Sequence, residues 1–405
     1  MVLLCNISYD KRKLRSRKVI KMIRVAIVGT GGISQSHIAG YLAFPERCKI
    51  VALVDIYPEK AHEKKDKFNL TDAEVYDDHL NILGREDIDL IDVCTPPYVH
   101  AEIAINGLNA GKNVLIEKPM AASLEECDKV LEAAKRSGKL LSVVAQNRYS
   151  TGYMNLKKTL DSGLAGDIVH AQADSFWWRG HSYYDLWWRG AWEKEGGGCT
   201  LNHAVHHIDM MLWMMGKPEE VQAIMSNTSH DNAEVEDLSI ALLKYKNGAL
   251  GQITSSVVHH GEEQQVVFQG RKARISAPWK VYASKSKSNG FPERNPELEK
   301  EIDDYYNSLP EQKYENHTPL IDDLLRALET GGKPLISGED GRNTVELITA
   351  IYESSVSRKP VKLPLAKDDP FYTVEGIQAG VPHFYEKTAS VENFGDENIT
   401  MGRKF

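Results

Sequence analysis

A short apolar run followed by a glycine-rich turn constrains the fold of this chain more than any other stretch. Residues 25–28 are four consecutive apolar residues, which predicts a buried strand, and Gly29-Thr30-Gly31-Gly32-Ile33 follows them directly. Gly29 permits a sharp turn, and Gly31 lets the backbone approach a phosphate with no Cβ in the way. A helix that begins near Ile33 directs its free N–H groups and its positive dipole end at the same point.

A carboxylate completes this pattern. Asp55 follows the next apolar strand, residues 49–54, and lies 24 residues after Gly31, about the distance expected for an acid that binds ribose hydroxyls. Ser34 stands where the glycine motif has its third glycine, so the glycines alone leave an unliganded strand-to-helix turn open as an alternative. The surrounding strand, turn, helix, strand and acid favour a dinucleotide. Asp55 would repel a 2′-phosphate and no arginine occupies the next three positions, which predicts NAD rather than NADP.

The hydrophobic pattern divides the chain in two. Residues 22–147 alternate apolar strands with helical patterns, which predicts an α/β Rossmann domain with a doubly wound parallel sheet. Residues 148–405 are predicted to form a second α/β domain, because strand patterns at hairpin spacing between residues 219 and 275 indicate a mostly antiparallel sheet. Residues 283–317 are polar and contain three prolines, which predicts a long surface excursion.

Bulk composition excludes several classes of protein. The net charge of −8 gives no electrostatic reason to expect nucleic acid as a partner, and the chain has no apolar run of roughly 18 residues that could cross a membrane. Five cysteines are scattered without a Cys-x-x-Cys pair, which argues against disulfides and fits a reducing, cytoplasmic location. Residues 1–21 carry a basic block, which predicts a disordered extension, with a targeting or docking tail as the alternative.

The ends of the predicted strands place polar residues at one edge of the sheet. Thr95-Pro96-Pro97, Glu117-Lys118-Pro119 and Gln146-Asn147-Arg148 each follow a strand, as Asp55 does, so all four should line one crevice. Lys118 is the candidate for chemistry there, because a partly buried lysine can hydrogen-bond a substrate hydroxyl and its pKa falls toward the range of proton transfer. A surface lysine at a strand end is the alternative.

A second cluster of polar residues lies on a predicted helix over residues 201–215. On that helix Asn202 shares a face with His206, and His203 shares a face with His207. A neutral histidine is the natural acceptor for an alcohol proton, so we interpret His206 as a catalytic base. His203 and His207 could bind zinc, but no third ligand has suitable spacing; no metal is predicted, and structural histidines are the other alternative.

An aromatic segment precedes this helix. Residues 176–192 contain five of the seven tryptophans of the chain and interleave them with arginine, tyrosine and histidine. Aromatic faces stack on sugar rings while arginine and tyrosine bind hydroxyls, so one or two of these residues are predicted to contact a ligand and the others to pack in the core. Arg189 and Tyr184 are the candidates for ligand contact.

The ordered motifs, which also include Trp188-Arg189-Gly190 and Gly196-Gly197-Gly198, resemble the glucose–fructose oxidoreductase, inositol dehydrogenase and rhizopine-catabolism family (Gfo/Idh/MocA) over about residues 22–365. The resemblance implies a C-terminal domain with a large open sheet that builds homo-oligomers, expected here as dimers or tetramers. It also implies NAD(P)-dependent oxidation or reduction of a sugar or cyclitol hydroxyl. Lys118 resembles the lysine that contacts nicotinamide ribose and substrate, and His206 resembles the catalytic histidine.

The expected contacts follow from the motifs and the resemblance together. The expected cofactor contacts are Gly29, Gly31, Gly32, Ile33, Asp55, Thr95, Pro96, His100, Glu117, Lys118, Gln146, Trp188 and Arg189. The expected substrate contacts are Arg148, Tyr184, Asn202, His203 and His206.

One position departs from the family pattern. Many members have aspartate four residues before the catalytic histidine, where this chain has Asn202, and an asparagine cannot take up a proton. The proton relay is therefore expected to rest on His206 and Lys118, with Asn202 orienting the substrate. The chain is accordingly expected to be more similar to enzymes that oxidise a hexose or glycoside ring, often at C3, than to inositol dehydrogenases.

Three classes of function are consistent with these residues. The first is an NAD-dependent dehydrogenase for a ring hydroxyl of a sugar or glycoside. The second is a glycosidase or epimerase that keeps NAD bound and passes through a keto-sugar, with a myo-inositol or cyclitol dehydrogenase as a further alternative. The third is a regulator that binds the dinucleotide without catalysis, and the presence of Lys118 and His206 argues against it.

Overall fold

The computed structural model describes residues 22–392, and its first sheet is built from the N-terminal part of the chain. The strands of that sheet are β1 (Ile23–Val28), β2 (Cys48–Val54), β3 (Glu74–Tyr76), β4 (Leu90–Val93), β5 (Asn113–Ile116) and β6 (Leu141–Val143). They are parallel and ordered β3-β2-β1-β4-β5-β6. This is the strand order of a Rossmann sheet, so the predicted fold of this half is confirmed.

Four helices connect these strands. They are α1 (Ser34–Leu42), α2 (Pro58–Lys67), α3 (His100–Asn109) and α4 (Leu124–Ser137). Helix α4 has clear terminal signals, since the Ser123 side chain accepts a hydrogen bond from the Glu126 amide at 3.2 Å and Gly138 adopts a left-handed conformation at its end.

The second sheet has nine strands and follows the first along the chain. Its strands are β7 (Ile168–Phe176), β8 (Glu220–Ser226), β9 (Leu238–Lys244), β10 (Leu250–Ser256), β11 (Gln264–Gly270), β12 (Ala273–Ala277), β13 (Lys280–Ser286), β14 (Pro292–Arg294) and β15 (Val361–Lys362). Their order is β14-β13-β12-β11-β7-β10-β9-β8-β15, and only the neighbours β7 and β10 are parallel. The expected mostly antiparallel sheet and the α/β class are therefore confirmed.

The second half of the chain also contains several helices. They are α5 (Thr151–Asp161), α6 (Trp192–Glu195), α7 (Cys199–Asn202), α8 (Val205–Met215), α9 (Pro296–Ser308), α10 (Thr318–Thr330), α11 (Gly338–Ser357) and α12 (Val374–Gly380). The division of the chain between residues 147 and 148 stays a prediction, and the predicted basic extension over residues 1–21 lies outside the described residues.

Helix α10 returns to the first sheet after the second sheet is complete. Ile321 and Leu324 are fully buried in one apolar cluster with Val25 and Ile27 of β1. A Cβ added at Gly40 of α1 would lie 2.3 Å from the Ile321 side chain, which shows how closely the two helices approach. The core of the Rossmann half is thus completed by residues far beyond its last strand.

The prediction of a long surface excursion over residues 283–317 is wrong. This stretch holds most of β13, all of β14 and helix α9, whose Ile302 is fully buried. The Trp279 ring stacks on the Tyr306 ring of α9 at 3.7 Å between centroids. Spaced prolines concealed the helix in the sequence, because Pro296 is at its first turn, where proline is tolerated.

One face of the second sheet carries exposed apolar side chains. Ile224, Ile240, Leu242 and Leu250 come from three neighbouring strands, and 49–75% of each residue is exposed. Within residues 22–392, no helix combines the length and the apolar character that a membrane span requires. The four cysteines in this part of the chain are buried free thiols, as the scattered pattern predicts.

Candidate active site

The glycine-rich turn between β1 and α1 forms an open backbone cradle. Gly29 has φ +94°, and a Cβ there would lie 2.7 Å from the backbone carbonyl of Cys94, so only glycine fits. A Cβ at Gly31 would meet no atom within 4 Å, and Gly31 and Gly32 are exposed. The N-terminus of α1, preceded by Ile33, therefore lies at an unobstructed surface, where the positive end of the helix dipole favours an anionic ligand.

Asp55 at the end of β2 is held against this turn. One oxygen of its carboxylate accepts hydrogen bonds from both the backbone N–H and the hydroxyl of Thr30, each at 2.7 Å. The other oxygen accepts the Tyr57 amide at 3.0 Å. The carboxylate is thus fixed beside the glycine cradle, the arrangement in which an acidic residue binds ribose hydroxyls.

Two buried polar atoms lack partners at the carboxyl edge of the first sheet. The Thr95 hydroxyl and the Gln146 side-chain carbonyl are buried without a hydrogen bond, and they follow β4 and β6 respectively. Buried polar atoms are rarely left unsatisfied, so both indicate a missing polar ligand. Together with the open backbone at Gly31, these residues fit a dinucleotide that extends from the turn across the strand ends.

The His100 side chain does not face solvent but connects two loops. It is fully buried, and its two ring nitrogens lie 2.7 Å from the Thr95 carbonyl oxygen and 2.8 Å from the Pro119 carbonyl oxygen. Its side chain therefore ties the loop after β4, which includes Pro96, to the loop that carries Lys118. We propose a positioning role for His100 in place of the predicted cofactor contact.

Glu117 also faces inward. Only 4% of the residue is exposed, and its carboxylate accepts hydrogen bonds from the Lys118 amide at 2.9 Å and from the rings of His37 and His317 at 3.0 and 3.3 Å. These donors hold its pKa well below the usual value despite burial. Because all its contacts are internal, we propose that Glu117 supports Lys118 instead of touching the cofactor.

The Lys118 side chain crosses from the first half of the chain to the second. Its ammonium donates a hydrogen bond to the Asn202 carbonyl oxygen at 3.1 Å. Burial lowers the pKa of Lys118, the nearby Arg189 lowers it further, and the Glu117 charge opposes both. Lys118 and His206 line one small enclosed cavity together with Asp209 and apolar residues of β6 and α11.

The predicted single helix over residues 201–215 is wrong. Helix α7 ends at Asn202, and α8 begins at Val205, so Asn202 and His206 do not lie one turn apart on a continuous helix. The Asn202 side-chain amide donates to the Gly197 carbonyl oxygen at 2.9 Å. Asn202 therefore anchors the glycine-rich approach to this helix, and its backbone rather than its side chain contacts Lys118.

The three histidines of this segment are held in their neutral forms. Burial lowers the pKa of His206 well below its ordinary value, and the Lys118 charge lowers it further. The pKa of His203 is lowered by burial and by neighbouring cations, with Arg179 and Arg189 first among them. Burial alone lowers the pKa of His207 to about 4, and neither of its ring nitrogens has a partner.

Arg148 is placed differently from the prediction of a substrate contact. It is 2% exposed, and its guanidinium forms two hydrogen bonds to Asp209 of α8 at 2.6 and 2.8 Å and one to Asp340 of α11 at 3.0 Å. All of these contacts are internal. Arg148 is therefore proposed to orient α8, and with it His206, three residues before Asp209.

In the aromatic segment, the structure places the hydroxyl of Tyr183 rather than that of Tyr184 beside His203. Tyr184 is 1% exposed and packs in the core, whereas the Tyr183 hydroxyl lies 3.3 Å from Nε2 of His203. The Arg189 guanidinium lies 4.2 Å from the Tyr183 ring and 4.1 Å from the Trp188 ring, and Glu195 accepts its hydrogen bond at 2.9 Å. Adjacent tyrosines point in different directions here, so we move the proposed substrate contact from Tyr184 to Tyr183.

Sequence reasoning missed His37, Asp92 and His317, which join Glu117 in a buried cluster. Within residues 22–392, groups of three close potential metal ligands occur only around His37, and they do not include His203 or His207. A signal for Asp92 was present, because a charged residue inside an apolar parallel strand must have a buried partner. No local signal connects Glu117 to His317, which lies 200 residues later.

A parallel sheet with a glycine cradle, an acidic partner and a lysine at one edge defines the class of NAD-binding oxidoreductases. Residues 23–145 match the NAD-binding Rossmann fold of the GFO/IDH/MocA oxidoreductase family, and residues 153–276 match the C-terminal domain of that family. The chain belongs to the GFO/IDH/MocA family, and the predicted NAD cofactor is confirmed.

Individual relatives have low sequence identity to this chain but match it over long stretches. The myo-inositol 2-dehydrogenase of Thermotoga maritima is 25% identical over 352 residues, which cover 84% of this chain and 98% of that enzyme. The 2,7-anhydro-N-acetylneuraminate hydratase of Mediterraneibacter gnavus is 26% identical over 260 residues, 63% of this chain and 67% of the relative. The crystal structure of the WlbA dehydrogenase from Bordetella pertussis with NADH and UDP-GlcNAcA is similar with a TM-score of 0.73 and 28% identity. The similarity covers 85% of this chain and 100% of WlbA.

The chain is an NAD-dependent enzyme that acts on CH–OH groups.

The two glycines of the cradle give a matched test of this geometry. Gly29→Ala should lower the free energy of unfolding by roughly 1–3 kcal/mol, because alanine is strained at this positive φ, and the clash with Cys94 adds to that cost. Gly31→Ala should leave the free energy of unfolding within about 0.5 kcal/mol but weaken NADH binding about tenfold, since its Cβ occupies the open cradle. Urea unfolding and NADH fluorescence titration measure the two effects, and a stable Gly29→Ala protein would contradict the turn geometry.

Proposed function

We propose that the protein oxidises a ring hydroxyl of a sugar or glycoside to a ketone, with C3 as the candidate carbon. His206 would act as the base and Lys118 would assist it. The supporting observation is that Lys118, from the edge of the first sheet, and His206, from the start of α8, reach the same cavity from different halves of the chain. When bound, NAD supplies the nicotinamide carbon that takes up the hydride from the substrate carbon.

His206 is suited to accept the hydroxyl proton. Burial and the Lys118 charge favour its neutral form, so the ring carries a free nitrogen at neutral pH. The absence of an aspartate at position 202 leaves no neighbouring carboxylate on α7 to share that proton. The base therefore works through the imidazole itself.

Lys118 is suited to stabilise the oxygen from which the proton leaves. Its ammonium is held by the Asn202 carbonyl, and hydrogen bonds from an ammonium stabilise a developing alkoxide more strongly where water is excluded. The same charge keeps His206 neutral, so the two groups work in opposite protonation states. This division of roles is typical of a paired acid and base.

The second half of the chain supplies groups suited to a sugar ring. The Tyr183 ring lies 4.2 Å from the Arg189 guanidinium and 5.6 Å from the Arg179 guanidinium, and Trp177 lies 5.3 Å from Arg179. Aromatic faces beside fixed hydrogen-bond donors recognise the apolar faces and the hydroxyls of a sugar. The dehydrogenase WlbA, crystallised with UDP-GlcNAcA, is a relative with a sugar nucleotide as ligand.

A second candidate function is a reaction with no net redox change, in which NAD is reduced and reoxidised in one turnover. It is supported by the similarity to a 2,7-anhydro-N-acetylneuraminate hydratase. The same Lys118 and His206 would serve a transient keto-sugar. A panel of sugars, glycosides and cyclitols with added NAD separates the candidates. Free NADH accumulates for a dehydrogenase, whereas for the second candidate a new product forms without free NADH, with a changed mass after hydration or hydrolysis and the same mass after epimerisation. A cyclitol as the best substrate would indicate an inositol dehydrogenase, as in the Thermotoga maritima relative.

Replacement of either catalytic residue tests the proposed roles. Lys118→Met and His206→Asn should each lower kcat/KM by about 100-fold or more, because each removes a group that acts on the reacting oxygen. NADH affinity of His206→Asn should change by less than about threefold, whereas Lys118→Met also loses an expected contact to the cofactor; Lys135→Met and His62→Asn, at exposed positions, serve as controls. Activity within severalfold of wild type on the true substrate would contradict these roles.

The pH dependence of Lys118→Met adds a second test. His206 must be neutral to accept a proton, and its pKa is lowered, so the acid limb of kcat/KM should lie below pH 6.5 in the wild type. Removal of the lysine charge raises the pKa of His206, so the acid limb of Lys118→Met should move to higher pH. An acid limb at the same pH in both proteins would contradict the effect of the Lys118 charge on the pKa of His206.

The choice of cofactor is proposed to rest on Asp55. Asp55→Asn removes the negative charge that repels a 2′-phosphate and keeps a similar shape, so the ratio of kcat/KM with NADP to that with NAD should rise about tenfold. Asp72→Asn changes an exposed carboxylate that pairs with Lys49 and is the matched control. An unchanged ratio would show that residues other than Asp55 discriminate between NAD and NADP.

We also propose that a second copy of the chain covers the exposed apolar face of the second sheet. Light scattering should give the mass of a dimer or a tetramer, and Leu242→Glu, which introduces a charge on that face, should lower the mass. Leu80→Glu changes an exposed leucine in the first half and should leave the mass unchanged. A monomeric wild-type protein would contradict this assembly.

A further inference from the structure

A buried chain of four side chains lies directly behind the candidate catalytic lysine. We call it the Glu117 network; it consists of Asp92, His37, Glu117 and His317. Nδ1 of His37 lies 2.8 Å from the Asp92 carboxylate, and Nε2 of His37 lies 3.0 Å from the Glu117 carboxylate. Nε2 of His317 lies 3.3 Å from the same Glu117 oxygen. None of the four residues is more than 4% exposed.

The geometry fixes the protons of this network. His37 faces a carboxylate oxygen with each ring nitrogen, so it must donate through both and carry a positive charge. Burial opposes this charge, but Asp92 and the neighbouring Cys94 raise the pKa of His37 well above the ordinary value. His317 donates through Nε2, and its other nitrogen has no partner, which fits a neutral ring. Two carboxylates and one imidazolium leave a net charge of about −1.

This residual charge is directly connected to Lys118. The Glu117 oxygen that faces neither histidine accepts the Lys118 backbone N–H at 2.9 Å. The network also joins distant parts of the fold: His37 is on α1, Asp92 is on β4, and His317 immediately precedes α10. The position of the lysine loop is thus tied to the cofactor-binding helix and to the helix that returns from the second half.

We propose that the Glu117 network is a positioning device for Lys118, in which Glu117 fixes the lysine backbone and supplies the negative charge that keeps its ammonium protonated. The inference rests on the proposed catalytic role of Lys118. The charged groups that face Lys118 are Glu117, Arg189 and Glu195, and Arg189 is itself paired with Glu195. Glu117 is therefore the carboxylate that offsets the burial of the lysine.

Two triads around His37 also have ligand types that would suit a metal ion, since the donor atoms within each triad lie within 4.8 Å of one another: His37, Glu117 and His317, and His37, Asp92 and Cys94. The hydrogen bonds argue against that use. Both oxygens of Glu117 already accept N–H donors, and both oxygens of Asp92 accept as well, one from His37 and the other from the Cys94 thiol at 3.7 Å. A network whose carboxylates are satisfied by protons needs no cation.

The test is Glu117→Gln, which removes the charge and keeps the shape. In the wild type, Lys118 must be protonated to donate to the substrate oxygen, so kcat/KM falls as pH rises through its pKa. Loss of the Glu117 charge lowers that pKa, and the basic limb should move to lower pH by about one unit. NADH affinity should change by less than about threefold, because the cofactor does not contact this carboxylate.

A second measurement does not depend on enzyme activity. The rate at which a lysine-acylating reagent labels Lys118, read by peptide mass as a function of pH, reports the fraction of free amine. Glu117→Gln should raise that rate about tenfold at a fixed pH below the pKa. Glu126→Gln changes another partly buried glutamate, which accepts the Ala122 amide at 3.0 Å, and should leave the labelling as in the wild type. Shifted labelling with no activity on any substrate would support the network and contradict the proposed function instead.

Glu117→Asp keeps the charge but withdraws it by one methylene, so it should shift the labelling in the same direction by a smaller amount. It also replaces Glu117→Gln if that variant does not fold. Labelling and pH limbs that stay at wild-type values in the folded variants, with only a lower Tm, would show a purely structural cluster and overturn the proposal. Stoichiometric metal in the purified wild-type enzyme that is lost in His37→Gln would overturn it as well.

Discussion

One buried guanidinium determines how the two halves of the chain meet. Arg148 follows the last strand of the first sheet and binds Asp209 of α8 with two hydrogen bonds and Asp340 of α11 with a third. Removing one partner of a buried pair costs about 3–5 kcal/mol, because the remaining charge is left without compensation. The Arg148 contacts thus fix α8 against the edge of the first sheet. Lys118 and His206 line one cavity together with Asp209, which is a partner of Arg148 at this junction.

Histidines around this site differ in protonation because their surroundings differ. The pKa of His37 is raised because Asp92 and Cys94 outweigh its burial, whereas the pKa values of His206 and His203 are lowered by burial and by neighbouring cations. These histidines lie close together around Lys118, yet their pKa values move in opposite directions. A site for proton transfer depends on such separation, because a base and a charged support must coexist in a small volume.

Much of the first half was predictable because its signals are local. The glycine turn, Asp55 and the loop of Lys118 follow from apolar runs and from the rule that parallel strands end at one edge. The helix break between Asn202 and Val205 was not predictable, because helical spacing continues through it. Tyr183 and Tyr184 could not be distinguished, since their orientation depends on a short 3₁₀ helix, His181–Asp185, that the sequence does not indicate.

Long-range pairs account for most of what the sequence did not indicate. Arg148 and Asp209 are separated by 61 residues, and Glu117 and His317 by 200. In each case the local sequence predicts that the polar residue contacts a ligand, because a partner so distant in sequence gives no periodic or motif signal. The predicted substrate contact of Arg148 and cofactor contact of Glu117 both arose in this way. Only the packing of the two halves distinguishes a buried support from a group that faces a ligand.

The return of α10 to the first sheet also sets the order in which this protein can fold during synthesis. The strands of the first sheet are complete by Val143, but the apolar cluster that includes β1 is closed by Ile321, Leu325 and Ile336. At a synthesis rate of about 5–20 residues per second, roughly 10–40 s separate these two events on the ribosome. Throughout that interval the cluster has the cover of Ile38 and Tyr41 from α1 but lacks the side chains of α10. The core of the N-terminal half is therefore completed only after most of the second half of the chain has been synthesised.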